Sequence, residues 1–170
     1  MAATFTKIAT VTVGSGGASS IEFTAISASY TDLQILVCSR TNRSASVDDS
    51  IKLEFNGVTT NLSSKRLLGS GSATSSSSFG SNIYYTGIGA STTSSVFDNV
   101  LIYIPNYASS NYKSVSIDSV TENNATEAYA QLTAGLWSST SAITSIKLLP
   151  NTGPNFVQYS TATLYGIKNS

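Results

Sequence analysis

The chain has 170 residues, with nine basic and nine acidic side chains, no His, one Cys, and a small hydroxyl side chain at 53 positions (32 Ser and 21 Thr). A formal net charge of zero gives no electrostatic attraction to a phosphate backbone, so nucleic acid is not an expected partner. Without His, and with Cys38 alone, zinc sites of the usual ligands, Ser-His-Asp or Cys-His catalysis and an intrachain disulfide are all excluded.

The first predicted element is a strand at 5–13. The residues before and within it contain one Lys and no unbroken apolar run, so they lack the apolar core of a signal peptide. The longest apolar stretches of the chain, such as 100–104, have the length of a strand and are too short to span a membrane. We therefore expect no membrane partner and a protein made in a cytoplasm.

Alternation of apolar and polar residues is the dominant pattern further along the chain. It is clearest at 51–55, where Ile51, Leu53 and Phe55 alternate with two charged residues. Asn56-Gly57 follows at once, and this pair favours a two-residue turn because both residues tolerate positive φ. The pattern predicts a hairpin over 51–61.

The remaining alternating segments predict an all-β protein of about eight to ten strands. No window has helical apolar spacing over more than about two turns. Many short strands in a chain of this length predict one β-sandwich domain over 1–170, with a jelly-roll arrangement expected. The other predicted strands are 21–23, 32–37, 83–88, 96–104, 113–118, 128–136, 143–149 and 160–167.

Two segments are expected to lie outside the strands. Residues 69–82 are rich in Ser and Gly and offer little apolar surface to bury, so they predict a loop. Residues 1–8 could form an extended N-terminal arm. We expect this arm and this loop to reach over neighbouring molecules.

Aromatic side chains are the candidates for a contact surface, because Tyr, Trp and Phe combine a large contact area with a low entropy cost. The alternative interpretation, which the sequence favours for the tyrosines and Trp137, is that these aromatics fill the sandwich core. The candidate interface residues are Phe5, Phe79, Tyr84, Tyr85, Tyr107, Tyr112 and Trp137, with Tyr159 as a further surface candidate.

The sequence contains no specific metal-binding or catalytic motif. Asp48-Asp49 could begin a calcium site, but no acidic loop of the required spacing surrounds the pair, and a solvated acidic loop is the favoured interpretation. No motif selects two carboxylates for glycoside hydrolysis among the nine acidic residues. We therefore expect no catalytic residue, no metal and no cofactor, and hence a protein that is not an enzyme.

Several turn and strand segments occur in an order that covers about residues 5–167. They are Tyr30-Thr31-Asp32-Leu33, Phe55-Asn56-Gly57, Ile104-Pro105-Asn106-Tyr107, 142–146 and the closing Ser160-Thr161-Ala162-Thr163-Leu164-Tyr165-Gly166-Ile167. Together they resemble a family of small virion structural proteins of tailed bacteriophages and cyanophages. The resemblance implies a β-sandwich or jelly-roll component of the virus particle and carries over no catalytic residue.

On this resemblance, the expected function is that of a capsid decoration, or cement, protein that bridges capsomers and stabilises the shell. Its expected partners are further copies of itself, with a homotrimer favoured, and the major capsid protein, and its expected location is the virion. The low charge agrees with this role, because crowded copies would repel one another little.

The alternative function is a tail-fibre or receptor-binding module that recognises host surface glycans. In that case exposed Tyr and Trp rings would converge in a solvent-facing cleft and stack on sugar rings. Aromatic rings buried in subunit contacts would favour the cement protein. An enzyme that degrades polysaccharide is the least favoured function, since it needs two facing carboxylates.

Overall fold

The computed structural model describes residues 4–124 and 127–168, and these contain strands and no helix. Within these ranges there is no helix long and apolar enough to cross a membrane. The strands are β1 (Thr4–Thr12), β2 (Ile21–Phe23), β3 (Asp32–Cys38), β4 (Asp48–Phe55), β5 (Leu62–Gly69), β6 (Thr74–Phe79), β7 (Ile83–Ile88), β8 (Asn99–Ile104), β9 (Lys113–Val120), β10 (Ala130–Trp137), β11 (Ile146–Pro150) and β12 (Thr161–Lys168).

The strands form two antiparallel sheets that pack as a sandwich, so the predicted all-β sandwich class is confirmed. The large sheet has eight strands in the order β1-β12-β3-β8-β9-β10-β5-β6, and the small sheet has four in the order β2-β11-β4-β7. Because the large sheet has twice as many strands, the small sheet covers only part of its inner face.

Strand pairing is nested along the chain. The first strand pairs with the last (β1 with β12), and successive inner pairs are β2 with β11, β3 with β8 and β4 with β7. Two hairpins interrupt this series, and both belong to the large sheet: β9-β10 joins it beside β8, and β5-β6 joins it beside β10. The insertions therefore widen one sheet and leave the nested order intact.

The core lies between the sheets and comes from the apolar side of the alternating strands. Ile35, Ile102 and Leu164 of the large sheet and Ile51 and Leu148 of the small sheet are each 0% exposed. Burying a side chain of this size contributes about 1.5–3 kcal/mol. In these five strands the apolar side of the alternation faces the core, whereas in β10 it faces solvent.

The turn at Asn56-Gly57 forms as predicted, but the predicted hairpin over 51–61 is wrong. Both residues have positive φ (53° and 70°), and the Val58 amide donates to the Phe55 carbonyl oxygen at 2.9 Å. Beyond this turn the chain crosses to the other sheet, because β4 pairs with β7 and β11 while β5 pairs with β10 and β6. A local turn signal does not determine which strand pairs next.

The described residues hold twelve strands, against the eight to ten predicted, and the difference comes from β5 and β6. Strand β6 lies inside 69–82, predicted as a loop, because the backbone of Thr74–Phe79 pairs with β5. Residues 4–7 of the predicted arm pair with β12 as part of β1, and Ile8 lies at a register shift in this pairing. The predicted arm's residues 1–3 lie outside the described residues.

Candidate functional site

Strand β10 is inverted with respect to the usual pattern of a sandwich strand. Its inward side chains are Gln131, Thr133, Gly135 and Trp137, while Ala130, Leu132, Ala134 and Leu136 point to solvent. The sequence places these apolar residues on one face of the strand, and the structure turns that face outward. An apolar strand face exposed to water is unfavourable, and a large one is typical of a surface that another molecule covers.

The polar inner side of β10 is stable because a hydrogen-bond network joins the two sheets through it. The Thr86 hydroxyl donates to Gln131 Oε1 at 2.6 Å, and Gln131 Nε2 donates to Thr133 Oγ1 at 2.6 Å. The Thr133 hydroxyl in turn donates to the Tyr84 carbonyl oxygen at 3.1 Å. With these partners, burial of the polar groups carries little cost, and the apolar side is left for the outer face.

Four exposed leucines continue the apolar surface across five adjacent strands. In register, Leu36 of β3 lies opposite Leu101 of β8, which lies opposite Asp118 of β9, followed by Leu132 of β10 and Leu67 of β5. We call these five residues the leucine row. The leucines are 43%, 38%, 57% and 56% exposed in the order in which they are named here. Two leucine pairs therefore flank one carboxylate.

A shallow depression of about 720 Å³ runs along this row on the outer face of the large sheet. Tyr103 and Pro105 close one side of it. Two exposed charged residues line it, Asp118 on β9 and Lys65 on β5, on either side of β10. In the described part of the chain Asp118 forms no ion pair, and Lys65 donates only to the Ser78 hydroxyl, at 3.3 Å.

Three of the predicted interface residues lie in the core. Tyr85, Tyr107 and Trp137 are 1%, 0% and 2% exposed, which corrects the expectation that their rings contact a partner. Tyr85 occupies an inward position of β7, the Tyr107 hydroxyl donates to the Ser27 carbonyl oxygen, and the Trp137 ring lies 5.6 Å from the Phe55 ring. Their size and alternation fill the sandwich, as the alternative interpretation held.

The exposed aromatics are dispersed. Phe5 and Tyr112 are 59% and 60% exposed but lie on β1 and in the connection between β8 and β9, three strands apart in the large sheet. Tyr159 is 68% exposed and precedes β12, at the opposite end of that strand from the residue paired with Phe5. These three rings do not line a common cleft.

Phe79 and Tyr84 are the two predicted residues that contact each other, and both are half-buried. Their ring centroids are 5.4 Å apart in an edge-to-face arrangement, and the Arg66 guanidinium lies 5.3 Å above the Phe79 ring. This cluster lies at the β6 edge of the large sheet. The Arg66 side chain covers Phe79, so the ring face on that side is occupied within the chain.

The charged residues near the loops between β3 and β4 have structural partners. Asp48 forms an ion pair with Arg43 at 3.5 Å, whereas the adjacent Asp49 is buried and accepts from the Thr41 hydroxyl and the Gly153 amide. Among the described residues no group of three or more acidic or Cys side chains is arranged to hold a metal ion. Asp48 and Asp49 therefore have different partners and do not form a shared cation site.

Asp98 is a buried carboxyl whose pKa is strongly shifted. It is 1% exposed and accepts from the backbone amide of Ser39 at 2.5 Å and from the Ser39 hydroxyl at 2.8 Å. Burial raises the pKa of Asp98 to about 7, and the two hydrogen bonds from Ser39 act in the opposite direction. The pKa of the neighbouring Tyr85 hydroxyl is raised as well, first by burial and then by the charge of Asp98.

No protein-family model matches the chain, and no curated protein matches it. A solved structure of a fructofuranosidase variant from Schwanniomyces occidentalis, complexed with fructosylnystose, aligns with 99% of this chain at 8% identity and a TM-score of 0.24. This chain spans 33% of that protein. A likeness at this level carries no argument about fold or function.

Proposed function

We propose that this chain is a virion structural protein of a tailed bacteriophage, a capsid decoration protein that stabilises the shell without catalysing a reaction. The observation that carries the proposal is the inverted strand β10, an interior strand of the large sheet, which turns Leu132 and Leu136 toward solvent. A surface of this kind is stabilised by assembly, because its leucines lose contact with water only when another molecule covers them.

The topology supports the same proposal. Nested antiparallel pairing across two sheets is the order of a jelly roll, the double-sheet architecture found in viral capsid domains. We propose that the eight strands of the nested pairs form such a jelly roll and that the β5-β6 and β9-β10 hairpins are additions to it. Both additions belong to the sheet that carries the apolar face, so they build the surface used in assembly.

The charge distribution fits a crowded shell. The chain has nine basic and nine acidic residues, and the leucine row contains one charged residue among its five members. Neighbouring copies would therefore approach one another without strong mutual repulsion. The proposed partners are copies of this chain and the major capsid protein, and the proposed location is the virion.

The glycan-binding alternative finds less support in the geometry. Its requirement is a solvent-facing cleft lined by several aromatic rings, whereas Phe5, Tyr112 and Tyr159 are dispersed and the Phe79 ring is covered by Arg66. We therefore do not put forward a sugar site.

The test is the stoichiometry of this chain in intact particles, measured by quantitative mass spectrometry of purified virions. The proposal predicts copies in proportion to the major capsid protein. A few copies confined to the tail would favour the receptor-binding module, and a glycan screen would follow. Absence from particles would overturn the proposal.

A further inference from the structure

The outer face of the large sheet carries opposite charges on the two sides of β10. Asp118 of β9 and Lys65 of β5 flank β10 on opposite sides, one strand away in each direction. Asp118 is in register with Leu132, and Lys65 is in register with Ala134, two residues further along β10. The face thus carries one acidic and one basic group placed almost symmetrically about a strip of apolar side chains.

We propose that the apolar outer side of β10 packs against the same surface of a second copy, about a two-fold axis parallel to β10. This rotation places β9 of one copy over β5 of the other, so each Asp118 lies above the strand that carries Lys65 of the second copy. The two groups are offset along the strands by two residues, about 7 Å, which a lysine side chain can span.

The charges also select this axis over its neighbours. An axis parallel to β9 would place Asp118 directly against Asp118 of the second copy, which is unfavourable for like charges in a partly dry interface. An axis parallel to β5 would bring the two copies of Lys65 together in the same way. With the axis on β10, each copy contributes both partners, and two equivalent ion pairs form.

The apolar part of this contact is self-complementary as well. Leu132, Ala134 and Leu136 lie on the axis and meet their own counterparts at the spacing of packed sheets, about 10 Å. The overlap covers β8, β9, β10, β5 and β6, since the rotation maps these five strands onto one another. Strand spacing and length give about 500 Å² for each copy, which is below the area of stable interfaces and in the range of weak, transient ones.

An interface of that size predicts a weak dimer in solution, with a dissociation constant in the micromolar range or above. The inference rests on the proposed function, because a shell would hold copies at high local concentration and so favour pairing. It gives a dimer where the sequence favoured a trimer. Leu36 of β3 lies outside the overlap, because the rotation carries β3 beyond the β6 edge.

Sedimentation velocity of the full chain, from about 1 μM to about 1 mM, tests the inference with two matched variants. Leu132→Asp places two carboxylates on the axis and is expected to leave a monomer at every concentration. Leu36→Asp is the control, since it makes the same change on the same face outside the overlap, and it should dimerise like the unmodified chain. The inference would be overturned if the unmodified chain stayed monomeric at every concentration or formed a trimer. It would also be overturned if both variants lost dimerisation to the same extent.

Charge reversal tests the proposed register separately. Asp118→Lys and Lys65→Asp should each weaken dimerisation about fivefold or more, because each single change sets like charges opposite one another twice in the dimer. The double variant should restore the affinity of the unmodified chain. Failure to restore would contradict the axis along β10, and unchanged thermal unfolding in all variants would show that folding is intact.

These results separate the inference from the proposed function. A chain that is monomeric at all concentrations but abundant on the shell would overturn the dimer and leave the decoration protein standing, with capsid protein as the cover of the face. If the chain dimerises and its variants behave as predicted but it is absent from particles, the dimer stands and the decoration function is overturned.

Discussion

Leu132 of β10 lies directly opposite Leu67 of β5, and the two side chains are 57% and 56% exposed on the outer face of the large sheet. Cross-strand pairs of large apolar residues usually stabilise a sheet by packing under a second layer. Here the small sheet covers the other face, so no layer of the same chain lies over this pair. We therefore expect the pair to contribute more to the proposed association than to folding.

Replacing both leucines by threonine (Leu67→Thr with Leu132→Thr) should change the free energy of unfolding of the monomer by no more than about 0.5 kcal/mol. The side chains are mostly exposed, and threonine suits a strand. The measurement is urea unfolding at a concentration where the chain is monomeric. As a contrast, the buried Leu148→Ala should cost about 2–5 kcal/mol. A comparable loss in the double variant would place the leucines in the monomer's own core.

Arg40, which follows β3, should stabilise the loop between β7 and β8. Its guanidinium donates to the carbonyl oxygens of Ala90, Thr92, Thr93 and Val96 at 2.8–3.0 Å. Arg40→Ala is expected to cost about 1–3 kcal/mol and to speed amide exchange in 90–96, because these carbonyls lose a charged donor. Arg40→Lys should recover part of this, since lysine keeps the charge but lacks the planar fork. Unchanged exchange in Arg40→Ala would contradict this role.

Stability should depend on pH through Asp98. Its pKa is about 7 in the folded state and near 3.8 when unfolded, so the folded protein holds the proton more tightly. The stabilisation is fully present below about pH 4 and is lost, by a few kcal/mol, as the pH rises to about 7. Asp98→Asn cannot ionise and should remove this slope in unfolding measurements across that range.

Ser39→Ala is the matched variant for the pH prediction. The Ser39 hydroxyl donates to Asp98 at 2.8 Å and thereby lowers its pKa. Loss of this hydrogen bond should raise the pKa of Asp98, so that stability continues to fall with pH beyond about 7. If Asp98→Asn keeps the slope of the unmodified chain, the carboxyl responsible is another one.

Asn56 should stabilise the connection before β11 through its side chain. Its Oδ1 accepts from the backbone amides of Thr144 and Ser145 at 2.8 and 3.0 Å, and its Nδ2 donates to the Ala142 carbonyl oxygen at 2.8 Å. Asn56→Ala should cost about 2 kcal/mol, from the lost bonds and a φ of 53°. Asn56→Asp keeps the acceptor and should cost less. Equal thermal stability of the alanine variant and the unmodified chain would refute this.

Much of the fold could be predicted because alternation is a local property of the backbone. The segment 51–55 shows it well, since Ile51, Leu53 and Phe55 are buried on one side of β4. Which strand pairs with which is not a local property. Asn56-Gly57 specifies a turn, but pairing of β4 with β7 depends on residues about 30 positions away. Strand β6 lacks the apolar alternation of the others and forms because the β5 backbone offers it a partner.

The candidate site could be predicted only in part. Alternation at β10 separates Leu132 and Ala134 from Gln131 and Thr133, yet it does not state which side faces the core. The outcome depends on Thr86 and Tyr84, which supply inter-sheet hydrogen bonds to the polar side. The sequence offers Tyr85 and Trp137 as contact candidates, and both fill the core, as the alternative interpretation held. It does not indicate that the leucines of the leucine row are exposed.

The most direct test of the account is a cryo-electron microscopy reconstruction of intact particles at side-chain resolution. The account predicts this chain on the capsid shell, with Leu67 and Leu132 covered by a neighbouring subunit. Particles without this chain on the shell, or copies in which Leu67 and Leu132 face open solvent, would contradict it.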